Sequence, residues 1–93
     1  MTEEELISLE EAERIAREHA KKRIKEGEIK DVDIESTELE ETGENTSIYM
    51  VKGHATYIIK KGGIFSKEKT AKKYFKAQIH AFQGKIIGFT EME

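Results

Sequence analysis

Ser8-Leu9-Glu10-Glu11-Ala12-Glu13-Arg14-Ile15-Ala16-Arg17-Glu18-His19-Ala20-Lys21-Lys22-Arg23-Ile24-Lys25-Glu26-Gly27 is the stretch in which apolar residues recur at helical spacing. Ser8-Leu9-Glu10-Glu11 has the form of a capping box. The Ser8 hydroxyl is expected to accept the Glu11 amide, and the Glu11 carboxylate to reach back to the amide of Ser8. Acids crowd the first turn and Lys21, Lys22, Arg23 and Lys25 the last, as the helix dipole favours. Gly27 is placed to end the helix in a left-handed conformation. The buried stripe reads Leu9, Ala12, Ile15, Ala16, His19, Ala20 and Ile24 or Arg23. Its three alanines let the helix lie close to whatever it covers.

Outward from this helix, from Ile29 to the end, the period changes to two, and glycine-containing turns divide the run into four strands. The first covers Val32 to Glu40, followed by a turn at Thr42-Gly43-Glu44-Asn45. The second runs from Ser47 to Lys60. One of its faces carries Tyr49, Val51, Gly53, Ala55, Tyr57 and Ile59; the other carries Ile48, Met50, Lys52, His54, Thr56 and Ile58. Small residues in the middle of the first set assign it to the core, with Gly53 marking a close approach or a bulge. After Lys60-Lys61-Gly62-Gly63 and a loop through Ile64-Phe65, the third strand spans Thr70 to Phe82. Gln83-Gly84 turns the chain into a fourth, Lys85 to Glu91, with Ile87 and Phe89 inward. The expected fold is α+β: one N-terminal helix packed on a four-stranded antiparallel sheet, residues 1–93 forming a single domain with 1–6 disordered.

Composition narrows the function classes. The chain has 93 residues and no cysteine, which excludes disulfides, thiolate metal sites and cysteine nucleophiles. Its charged fraction of 38%, built on Glu and Lys without proline, resembles that of thermophile proteins. No apolar run is long enough to span a membrane, and the acidic opening does not suit a secretory signal, so a cytoplasmic location is expected. The net charge of −3 conceals an asymmetry. Residues 1–47 hold sixteen acids against seven bases, net −9, and residues 48–93 hold three acids against nine bases, net +6. Attraction between the halves explains this without a partner; a basic patch for an anionic ligand is the sharper alternative.

Little here could carry catalysis. There is no phosphate-cradling glycine loop, and none of the four serines lies in a nucleophile elbow. His54 and His80 share a sheet face, but two imidazoles without a third ligand make a poor metal site. His19 sits at the edge of the helix stripe. The paired carboxylates Glu10-Glu11 and Glu40-Glu41 are expected in solvated helix and turn settings unsuited to acid catalysis. The chain is therefore expected not to be an enzyme, with no catalytic residue, no cofactor and no metal site.

Two surfaces remain. If one helix covers one face of the sheet, Ile48, Met50, Ile58, Tyr74, His80 and Phe82 lie on the other, a candidate docking patch for a protein or peptide. Its commonest occupant is a second copy of the chain, giving a homodimer. The second candidate is a basic hairpin of Lys60, Lys61, Lys67, Lys69, Lys72, Lys73 and Lys76, with Phe65 and Tyr74 among them. Lysine interleaved with aromatics suits single-stranded nucleic acid, yet lysine also protects exposed strands from edge pairing.

The order and spacing of three segments resemble the PepSY domain over Ile7 to Phe89. They are Ile7-Ser8-Leu9-Glu10-Glu11-Ala12-Glu13-Arg14-Ile15-Ala16, Ser47-Ile48-Tyr49-Met50-Val51, and Phe75-Lys76-Ala77-Gln78-Ile79-His80-Ala81-Phe82-Gln83-Gly84-Lys85-Ile86-Ile87. The resemblance implies a helix-plus-sheet fold and a regulatory or inhibitory module, often associated with peptidases. Tyr49-Met50-Val51-Lys52-Gly53 is also similar to the Q-x-V-x-G segment of cystatins, with Tyr49 in the glutamine position. That similarity implies protease inhibition as an alternative.

Overall fold

The computed structural model describes residues 6–41, 47–60 and 68–92. Helix α1 spans Leu9–Arg23, and strands β1 (Glu28–Glu40), β2 (Ile48–Lys60), β3 (Glu68–His80) and β4 (Ile86–Met92) follow. All neighbours pair antiparallel in the order β1-β2-β3-β4, so the chain is one helix on a four-stranded antiparallel meander, the expected α+β arrangement. The expected turn at Thr42–Asn45, the Ile64-Phe65 loop and the expectation for residues 1–5 lie outside the described residues.

Half of the capping box forms. The Ser8 hydroxyl accepts the Glu11 amide at 3.0 Å. The Glu11 carboxylate does not return to Ser8, because the Arg14 guanidinium one turn on engages both of its oxygens and also reaches Glu18. That contact holds the Glu11 carboxyl below its usual range. The helix closes at Ile24, whose extended backbone and 2% exposure turn it into the core and leave Arg23 outside. Gly27 therefore does not supply a left-handed cap. A side chain there would put its Cβ 2.4 Å from the Ile58 carbonyl oxygen and 2.8 Å from the Tyr57 ring, so close approach to β2 is what requires glycine.

Ala12, Ala16 and Ala20 are fully buried and form the seam on the sheet. Beneath them lie Val51 and Ala55, on the face of β2 assigned inward by alternation, with Phe75, Ala77, Ile79 and Ala81. Leu9, expected in the stripe, is 47% exposed; it is the first helical residue, three positions ahead of the first buried alanine. The segment before the helix is tied down by backbone. Ile7 donates its amide to the Ala81 carbonyl at 2.8 Å, and the Tyr49 hydroxyl donates to the Ile7 carbonyl at 2.8 Å. Two segments distant in sequence but adjacent at one end of the sheet thus fix where the helix begins.

Three bulges correct the strand phases. Between Ile29 and Asp31, and between Ile34 and Ser36, β1 gains a residue relative to β2, so Lys30 and Glu35 are extra. The first bulge explains why alternation fails before Val32 although the strand begins at Glu28. In β4 the extra residue is Ile87: Ile86 turns inward opposite Ile79, and Ile87, expected inward, is 51% exposed. Phe89 holds its expected place, stacked on Phe75 at 5.4 Å and meeting the His19 ring edge-on at 4.9 Å.

Two consequences can be measured. Thr37 lies opposite Val51, and its buried hydroxyl has no hydrogen-bond partner among the described residues. Thr37→Val removes that uncompensated polar atom and is expected to stabilise the domain by about 1 kcal/mol, read as a higher urea midpoint. His19 is held below the ordinary imidazole value of 6.5 by burial, and secondarily by Arg23 and Lys22. The unfolded chain then binds a proton that the folded chain resists. Its contribution is complete above the ordinary value and is lost as pH falls from there through the lower folded-state value. Wild type should lose more stability than His19→Gln between pH 7.5 and pH 5; parallel losses would contradict this.

Candidate binding face

The sheet face opposite α1 is built by register. Read across β1, β2 and β3, its rows are Glu28–Ile58–Thr70, Asp31–Thr56–Lys72, Asp33–His54–Tyr74, Ser36–Lys52–Lys76, Glu38–Met50–Gln78 and Glu40–Ile48–His80. β4 adds Met92 beside Tyr74, Thr90 beside Lys76 and Gly88 beside Gln78. Among the described residues no second layer covers this face.

The rows break up the patch anticipated from sequence. Ile48, Met50, His80 and Phe82 stand at one end and Ile58 at the other, with Lys52, Lys72, Lys76, His54 and Thr56 between. Met50, expected to be bare, is only 9% exposed, since Glu38 and Gln78 flank it and the Gln78 amide reaches its sulfur at 3.5 Å. Ile48, Ile58 and Phe82 are half-buried. Tyr74 is the member most open to solvent, at 37%. His80 is occupied in holding the chain reversal. Its Nδ1 accepts the amides of Phe82 and Gln83 at 3.3 and 3.1 Å, in the turn that Gly84 completes at φ 67°. His54 and His80 do share the face. Six residues of β2 register separate them, however, about 20 Å at the rise of a strand.

The basic hairpin is also divided. Lys72 and Lys76 alternate with Tyr74 on the open face, whereas Lys73 faces the helix side opposite Ala55, and Lys69 pairs with Ile59 on that same side. Lys61 and Lys67 lie outside the described residues, as does the side chain of Lys60. Seven lysines close in sequence are therefore not one patch. Sequence reasoning missed Lys52, which β2–β3 register sets directly against Lys76, a like-charged cross-strand pair.

On the other flank β1 carries Glu28, Asp31, Asp33, Glu38 and Glu40 on the open face, and the bulged Glu35 joins them. The His54 ring is 13% exposed, with Nε2 3.3 Å from an Asp33 oxygen and Nδ1 3.0 Å from a Glu35 oxygen. A neutral ring donates to one of these carboxylates, and the cation to both. Tyr74 lies against the other side of the ring at 5.4 Å. This cluster pins the second bulge to the centre of the sheet. Its carboxylates approach different ring nitrogens, and among the described residues no group of three histidine or carboxylate side chains is placed to hold a metal ion.

The face is thus ordered laterally: acids on β1, a mixed β2, lysines on β3. The two charge rows are about 10 Å apart, close to a Debye length at physiological salt. No described helix is long and apolar enough to cross a membrane. Compared with family models, curated proteins and solved structures, the chain finds no match.

Proposed function

We propose that this chain is a non-enzymatic protein-binding or regulatory module whose working surface is the open sheet face. The observation that supports this most is the row Lys72–Tyr74–Lys76 on β3 with Lys52 beside it, without a second layer over it among the described residues and about 10 Å, across β2, from a row of acids on β1. A like-charged pair set face to face costs free energy in the isolated domain, and a partner that brings carboxylates to it offsets that cost. The resemblance to PepSY domains supports the same kind of role, a module that regulates another protein, with peptidases as first candidates.

A second reading, single-stranded nucleic acid, is favoured by Tyr74 between two lysines, the alternation that stacks bases and holds phosphates. The acid row counts against it: a polyanion following β3 runs beside the carboxylates of β1. A protein surface of mixed charge fits both rows.

Lysine acetylation separates the readings. In dilute pure protein Lys52 and Lys72 should react like the exposed helix lysines Lys21 and Lys22, and the half-buried Lys76 more slowly but measurably. In cell extract the three sheet lysines should become protected while the helix lysines do not, and the protection should survive nuclease. Loss of protection on nuclease treatment transfers the face to nucleic acid. Equal labelling of sheet and helix in extract contradicts a binding role for this face.

A further inference from the structure

The charge order on the open face changes sign across β2, and this is the pattern that a two-fold axis can satisfy with a second copy. We infer that the partner of this face is another molecule of the same chain, its β1 lying over β3 and its β3 over β1. The inference rests on the binding role proposed for the face and adds the identity of the occupant.

The geometry follows from register. Place a two-fold axis between two open faces, parallel to β2. Lateral position is then inverted and height along the strands is kept. Asp31 of one copy meets Lys72 of the other, Glu35 and Ser36 meet Lys76, Asp33 meets the Tyr74 edge, and Glu40 meets His80; each contact occurs twice. Along the axis β2 meets itself through Ile48, Met50, His54, Thr56 and Ile58, with Lys52 the like-charged meeting among them. An axis perpendicular to the strands sets acids on acids and lysines on lysines, so charge selects the first arrangement.

The area is adequate. Three strands of 13 residues present roughly 600 Å² from each copy by strand rise and spacing, while β4 lies beyond the partner's β1. The total of about 1,200 Å² is at the low end of specific interfaces. Exposed ion pairs contribute little each, so the charge rows fix orientation, while burial of Tyr74, Ile48 and Ile58 supplies the affinity.

The test uses the full chain and sedimentation over a concentration series. Wild type should dimerise, and 1 M salt should weaken the dimer at least tenfold. Lys72→Glu with Lys76→Glu should be monomeric, and so should Asp31→Lys with Glu35→Lys. Mixed one to one, the two variants should form a heterodimer at least tenfold tighter than either self-association, because every substituted pair is then attractive again. Should a double variant fail to fold, carbodiimide coupling of mixed ¹⁴N and ¹⁵N wild type gives the same answer: an intermolecular Asp31–Lys72 link supports the arrangement. Wild type that stays monomeric at low salt overturns the inference, as do folded variants that do not recombine, or coupling only within a chain. If sedimentation finds a monomer while the sheet lysines are protected in extract, the binding face stands and only its occupant is wrong.

Discussion

Phe75→Ala will destabilise this domain by about 3–5 kcal/mol, the range for removing a buried aromatic ring. Phe75 has no exposed surface and is the largest of the fully buried side chains. Its ring stacks on Phe89 at 5.4 Å and fills the space left open by Gly53. Chains of this size have stabilities of roughly 5–14 kcal/mol in total, so the variant should be close to unfolded at 37 °C. Urea denaturation followed by far-UV circular dichroism checks this. A loss under 1 kcal/mol would mean that the helix does not seal the core at this point.

Gly53→Ala carries the second large effect, about 2–3 kcal/mol, by backbone overpacking. The added Cβ would lie 2.3 Å from the Asp33 carbonyl oxygen and 3.2 Å from Ile34 Cα, both backbone atoms of β1 beside the Glu35 bulge. The Phe75 ring is the lesser obstacle at 3.1 Å. A double-mutant cycle distinguishes these causes. If β1 is the obstacle, Gly53→Ala costs nearly as much in the Phe75→Ala background as in wild type. If the ring were the obstacle, removing it would relieve most of the cost.

What the sequence discloses, and what it withholds, follows from this packing. Helical period with Ala12, Ala16 and Ala20, then the period-two placement of small and apolar residues from Tyr49 to Ile59 and from Phe75 to Ala81, yields the layers and the buried face without coordinates. Ser8 announces its cap because the donor it satisfies is local. The bulges stay hidden, since Lys30, Glu35 and Ile87 look like ordinary strand residues until a partner strand shows one of two neighbours unpaired. The binding face suffers most. Its apolar members share a parity and so look contiguous, but contiguity is set by register, and register places Lys52 and Lys76 between Met50 and Tyr74. The seven lysines look like one cluster because they are near in sequence, and alternation sends Lys69 and Lys73 to the opposite side. The lateral change of sign, on which the dimer rests, exists only once β1, β2 and β3 are side by side.

The absence of cysteine makes one-sided layering directly measurable with single substitutions and a maleimide, at dilutions where copies do not associate. Lys52→Cys should label at nearly the rate of the unfolded chain, and Lys76→Cys, at a half-buried position, within about tenfold of it. Val51→Cys and Ala77→Cys, one residue along the same strands, should label roughly a thousandfold more slowly, since they react only when the domain opens. Slow labelling at all four positions, or fast labelling at 51 and 77 with protection at 52 and 76, would contradict an uncovered face opposite the helix.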